Sequence, residues 1–152
     1  MKIEERIKEL GIDLPEAAKP AAMYVPVKQT GNLLFVSGQI PVVNGTLAYT
    51  GKAGKDKTLE EAQAAARTCA INIISAVKGH IGDLDKVASI VKITAFVASE
   101  TGFDKQHLVA NGASELLFDV FGEAGRHTRS AVSVNQLPMD ALVEVEAIIE
   151  IQ

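Results

Sequence analysis

The chain has 152 residues, 47% of them hydrophobic and 22% charged, which supplies one compact core and excludes a disordered or low-complexity protein. Its formal net charge of −4 comes from 19 acids against 15 Lys and Arg, and the basic residues are scattered without interleaved aromatics, which argues against a nucleic-acid groove. A single cysteine, Cys69, excludes an internal disulfide, no apolar run reaches the length of a membrane span, and the opening Met1-Lys2-Ile3-Glu4-Glu5 lacks the apolar run of a signal peptide, so a cytoplasmic location is expected.

In chain order, Ile3, Ile7 and Leu10 at helical spacing, with Gly11 as a stop and Pro15 beyond, predict a short peripheral amphipathic helix. Residues 20–29 show no clear period. Leu33 to Ser37 read as a strand ending at Gly38, and Asn44-Gly45 is a hairpin signal. After an irregular segment from Tyr49 to Lys57, Thr58-Leu59-Glu60-Glu61 forms a capping box opening a helix to about Lys78, with Ala62, Ala66, Cys69, Ile73 and Val77 on one stripe. Val91, Ile93, Ala95 and Val97 then alternate with Lys92, Thr94 and Phe96 in a third long strand. A second helix is expected from near Thr101 to Phe121, burying Leu108, Leu116, Leu117 and Val120 and stopping at Gly122.

The C-terminal segment carries the chemistry. Arg129 to Val134 and Leu142 to Glu146, joined across Pro138, read as two paired strands with Ser130, Val132, Val134, Val143 and Val145 on the apolar face. The opposite face would present Arg129, Glu144 and Glu146: a planar fork of donors suited to a carboxylate or phosphate, with an acid able to hold a water or take a proton. The same spacing serves equally well as a cross-strand salt bridge on a solvated face. The whole order is β-β-α-β-α-β-β, an α+β fold with two helices on one face of a mixed sheet. The uncovered face, read as bearing Ile90, Phe96, Leu142 and Ile148, calls for a subunit to cover it.

Other chemistry is dismissed on spacing. Gly45 to Ala53 only faintly suggests a phosphate loop, because the glycines are one position too far apart and Ala53 cannot ligate magnesium. Cys69 on an apolar stripe behaves as a small hydrophobe. His80, His107 and His127 lack metal-ligand spacing, so no metal and no cofactor is expected. His127 shares strand parity with Arg129, which places it either beside the same pocket or in an ordinary loop.

Ser37-Gly38-Gln39-Ile40-Pro41, Arg129-Ser130-Ala131-Val132 and Leu137-Pro138 with Val143-Glu144-Val145-Glu146 resemble the signature segments of the Rid family, also called YjgF and often labelled L-PSP endoribonuclease. The resemblance covers residues 20–152, read as a single domain behind a helical extension at 1–19, in a longer divergent branch. It implies a chorismate-mutase-like two-layer fold, assembled as a homotrimer whose sheets form a central barrel with clefts between neighbouring subunits. It further implies hydrolysis of reactive enamines and imines to a 2-oxo acid and ammonia. Arg129 then matches the arginine that clamps the substrate carboxylate, and Glu144 the acid that orients the attacking water. Tyr24, seven residues before Gly31, matches a tyrosine reaching into the neighbouring cleft, Ser37 a pocket serine, and Asn111 an asparagine near the site. Ala131 stands where many members carry cysteine, in a role resting on the backbone carbonyl, and His127 with Arg126 enlarges the charged rim. A non-catalytic trimer binding small carboxylate metabolites and a nuclease acting on single-stranded RNA are the competing readings, the second opposed by the net charge.

Overall fold

The capping box at Thr58 forms as expected. In the computed structural model, which describes residues 2–17, 19 and 22–152, the Thr58 hydroxyl accepts from the Glu61 amide at 3.1 Å and the Glu61 carboxylate accepts the Thr58 amide at 3.3 Å. Helix α1 (Lys2–Glu9) precedes it, α2 is Leu59–Ile81, and α3 is Gln106–Phe121. The stripe Ala62, Ala66, Cys69, Ile73 and Val77 is buried along α2. Helix α3 begins later than Thr101, because Gly102 takes a positive φ and Phe103 closes a turn onto the Glu100 carbonyl; Leu108 there is only half-buried. The α2–α3 crossing is close enough that a Cβ on Gly112 would lie 2.0 Å from the Gln63 carbonyl oxygen. Helix α1 buries Ile7 and is capped by Asp85, whose carboxylate accepts the Lys2 and Ile3 amides. No helix among the described residues is long and apolar enough to cross a membrane.

The strands are β1 (Val27–Thr30), β2 (Leu33–Gln39), a short hairpin β3 (Val42–Val43) and β4 (Thr46–Leu47), β5 (Val87–Ala98), β6 (Thr128–Val134) and β7 (Val143–Ile151). Asn44 and Gly45, both at positive φ, make the hairpin turn. The main sheet runs in the order β1-β2-β7-β5-β6 and is antiparallel except for the parallel pair β5–β6. Both long helices pack on one face, against Ile93, Ala95, Val97, Val143, Val145 and Ile149, so the fold is α+β with two layers. The described residues of this one chain form an open sheet, not a closed barrel.

Three expectations are corrected. Strands β6 and β7 do not pair: β5 lies between them, with Ile93 opposite both Arg129 and Ala147. The connection through Pro138–Asp140, where Met139 and Asp140 both take positive φ, is a crossing over the end of β5 rather than a hairpin. Second, Ile90 and Leu142 are fully buried in the core and do not face outward. Third, a register shift between Ile90 and Lys92 breaks the alternation of β5, so Val91 is exposed and Ile90 takes its place inside. The outer face keeps half-buried Phe96 and Ile148 and adds Phe35 and Val132, which are 42% and 43% exposed. The segment from Tyr49 to Lys57 is irregular but anchored, with Ala53 fully buried and bridged to Ser99.

Candidate active site

Arg129 turns toward the helices, not toward the outer face with the two glutamates. In the parallel β5–β6 pair it sits opposite buried Ile93, while Glu144 sits opposite Phe96 and Glu146 opposite Thr94. The cation and the acids therefore lie on opposite faces of the sheet, and no salt bridge joins them. The valines of β6 suggest its inner face by composition, but Val132 lies outward and small Ala131 faces in, which puts Arg129 on the helix side.

Helix α3 fixes the guanidinium. One terminal nitrogen, Nη1, donates to Asn111 Oδ1 at 2.8 Å and to Ser114 Oγ at 3.0 Å, and Nη2 donates to the His107 carbonyl at 2.9 Å. Of the five donors an arginine carries, three are thus committed, and two, the Nε–H and one on Nη2, have no partner among the described residues. A carboxylate can be gripped through that remaining pair. The pocket beside it has a volume of about 550 Å³ and is lined by Asn111, Ser114, Phe118, Arg126, His127 and Arg129, among others. Arg126 lies 5.4 Å over the Phe118 ring and pairs with Glu123 at 3.2 Å. The half-buried His127 has Nδ1 3.1 Å from the Thr128 carbonyl, which makes Nδ1 the protonated nitrogen. Burial pushes its pKa down, the hydrogen bond to the Thr128 carbonyl works against that, and neighbouring Arg129 adds to the lowering. Ser114 was not anticipated. Its signal was a second polar residue one helical turn after Asn111, beside the apolar stripe of α3.

A second group of the expected residues gathers on β2 and β7. Ser37 donates its hydroxyl proton to the Val25 carbonyl at 2.7 Å, and its amide donates to the Pro26 carbonyl. The serine therefore ties down the segment that follows Tyr24, and its oxygen is left only to accept. Tyr24 is 57% exposed and lines, with Ser37, Gly38, Gln39 and Asn72, a cavity of about 580 Å³. Glu144 lies against Gly38, is half-buried, and receives no hydrogen bond from the described residues. Burial, and then the charge of Glu146, push its pKa up. Beneath it Cys69, 3.6 Å from the Val143 carbonyl, has its thiol pushed well up by burial and is no nucleophile.

The expected residues thus form two groups: Arg129, Asn111 and His127 with Ala131 at the β6 edge, and Glu144, Ser37 and Tyr24 around β2. Strand β5 stands between β6, which carries Arg129, and β7, which carries Glu144. Among the described residues the one acidic cluster of metal-ligand geometry is Glu4, Asp83 and Asp85, at the start of α1, where Asp85 caps the helix.

A family model described as "YjgF/chorismate_mutase-like, putative endoribonuclease" matches residues 4–151. The chain belongs to this family, the Rid family of the motif resemblance. Protein TCP17 of Trypanosoma cruzi is 46% identical over 151 residues, spanning 99% of this chain and 94% of its own. The 2-iminobutanoate/2-iminopropanoate deaminase of Escherichia coli is 34% identical over 131 residues, 85% of this chain and 89% of its own. The crystal structure of an Agrobacterium tumefaciens protein of unknown function matches with a TM-score of 0.93 and 50% identity, covering 99% of this chain and 92% of that one.

Proposed function

We propose that the protein hydrolyses reactive 2-imino and enamine acids to 2-oxo acids and ammonia, in clefts formed between copies of a homotrimer. The observation that carries this reading is the division of the site. Among the described residues Arg129 keeps a pair of donors without a partner on one side of the sheet, and Glu144 is a half-buried acid without one on the other. Neither completes a site alone, and the partly apolar outer face bearing Phe35, Phe96, Val132 and Ile148 offers a surface for neighbouring copies. The name of the Escherichia coli relative points to the same reaction.

Arg129 of one copy grips the substrate carboxylate and holds the imine carbon within reach of a water on Glu144 of the next copy. Glu144 takes a proton as the water adds to the C=N carbon and passes it to the imine nitrogen, giving a carbinolamine; it then takes the hydroxyl proton and gives it to nitrogen as the C=O forms, the C–N bond breaks and ammonia leaves. An enamine first takes a proton on carbon and loses one from nitrogen to become the imine. The raised pKa of Glu144 suits this exchange, because an acid poised nearer neutrality both accepts and returns a proton. Coupling the protein to a serine or threonine dehydratase tests the reading: 2-oxo acid should form faster than by spontaneous hydrolysis. A folded protein that accelerates no amino-acid-derived imine supports simple carboxylate binding at Arg129 instead.

A further inference from the structure

Strand β2 carries one residue more than its partner at the point where the acid lies. Val36 is opposite Ala147 and Gln39 opposite Val145, so Ser37 and Gly38 together face Glu146 in a bulge. Eight of the described glycines have a positive φ, but Gly38 does not, so no left-handed backbone demands glycine there. What leaves no room is the acid. A Cβ on Gly38 would lie 2.9 Å from Cδ of Glu144 and 3.1 Å from both its Cγ and its Oε2. Gly112 and Gly125, also without positive φ, are pressed against backbone; the obstacle at Gly38 is the carboxyl end of a side chain.

We propose that Gly38 is a positioning residue for Glu144: the side-chain-free step in the β2 bulge is the shelf on which the carboxylate rests and which sets its reach into the cleft. The inference rests on the reading of Glu144 as the water-holding acid. Its neighbour Ser37 holds the 25–26 segment through two hydrogen bonds, so one bulge orders both the acid and the approach of Tyr24. The side chain that must yield to a methyl at position 38 is flexible at its end, so the fold tolerates the substitution while the carboxylate is displaced. Bulges beside functional sites re-aim side chains in this manner, and a shift of about 1 Å in a reacting group can lower a rate by about 10²-fold.

The test has two independent readouts on Gly38→Ala. With carboxyl-labelled glutamate, assigned through Glu144→Gln, the NMR titration of Glu144 should move toward that of an exposed glutamate. In the imine assay kcat should fall by about tenfold or more with KM within about twofold. Shortening the acid in Gly38→Ala/Glu144→Asp relieves the contact, so this double variant should turn over faster than the product of the two single effects allows. An unchanged Glu144 titration, strictly multiplicative effects, or loss of folding in Gly38→Ala would each overturn the proposal. If the wild type hydrolyses no imine, the functional reading fails while the titration still decides the role of Gly38.

Discussion

The two halves of the candidate site are built in opposite ways. At the β6 edge Arg129 is held by three acceptors of α3, the Asn111 and Ser114 side chains and the His107 carbonyl. On β7 Glu144 has no hydrogen-bond donor among the described residues and rests on a bare glycine. The difference fits the roles proposed for the two halves. A clamp gains from rigidity, because every donor already aligned costs less entropy when a ligand arrives. A proton acceptor gains from being left unsatisfied, since donors would stabilise its charged form and lower its pKa.

The sharpest way to break this contrast is to remove the proton-accepting function without changing shape. Glu144→Gln should lower kcat by about 10²–10⁴-fold, measured against spontaneous imine hydrolysis, while ligand retention at Arg129 is unchanged. An acid whose folded pKa is raised stabilises the protein below that pKa, and the contribution is lost as pH rises through it. The same variant should therefore melt no lower than wild type at pH 7. In wild type, activity should rise with pH through a limb lying above the ordinary carboxylate range, and Glu146→Gln should shift that limb to lower pH.

Next in size is the clamp. Arg129→Lys keeps the charge but loses the fork and strands the acceptors on α3, so carboxylate affinity should drop by about 10²-fold. The melting temperature should fall as well. Gly112→Ala attacks the clamp from behind, by forcing a methyl into the Gln63 backbone and pushing α3 off α2. A loss of about 1–3 kcal/mol in denaturant unfolding is expected, with Glu144's titration unmoved. The smallest effect is that of Ser114→Ala, which removes one of three anchors and should raise KM by a few-fold at unchanged kcat. A larger kcat effect would show that the two halves are not separable.

Much of the frame was legible in the chain because its signals are local. The Thr58–Glu61 box set the start of α2, Asn44-Gly45 set the hairpin turn, and the alternation in β7 separated Val143, Val145 and Ala147 from Glu144 and Glu146. Pairing is not local. Nothing between Val134 and Leu142 states that β5 will insert between the C-terminal strands, and without that knowledge the face of Arg129 was read from its valine neighbours. Strand β1 escaped notice because only Val27 of its four residues is buried, which leaves no alternation to see. The bulge at Ile90–Lys92 inverted one residue for the same kind of reason: an inserted residue changes parity without changing composition. Among site residues, Arg129 and Glu144 stand out by type and motif, whereas the part played by Ser114 depends on an α3–β6 contact that only the fold brings about.

The claim on which the account depends is that the arginine half and the acid half work together only when they come from different copies, and mixing two inactive variants tests it directly. Arg129→Ala and Glu144→Gln proteins, each inactive alone, should regain activity after subunit exchange. An equal mixture should reach about a quarter of the wild-type rate, because half of the copies on each side of a cleft carry the intact residue. A mixture confirmed to have exchanged subunits that stays as inactive as its components would contradict the account.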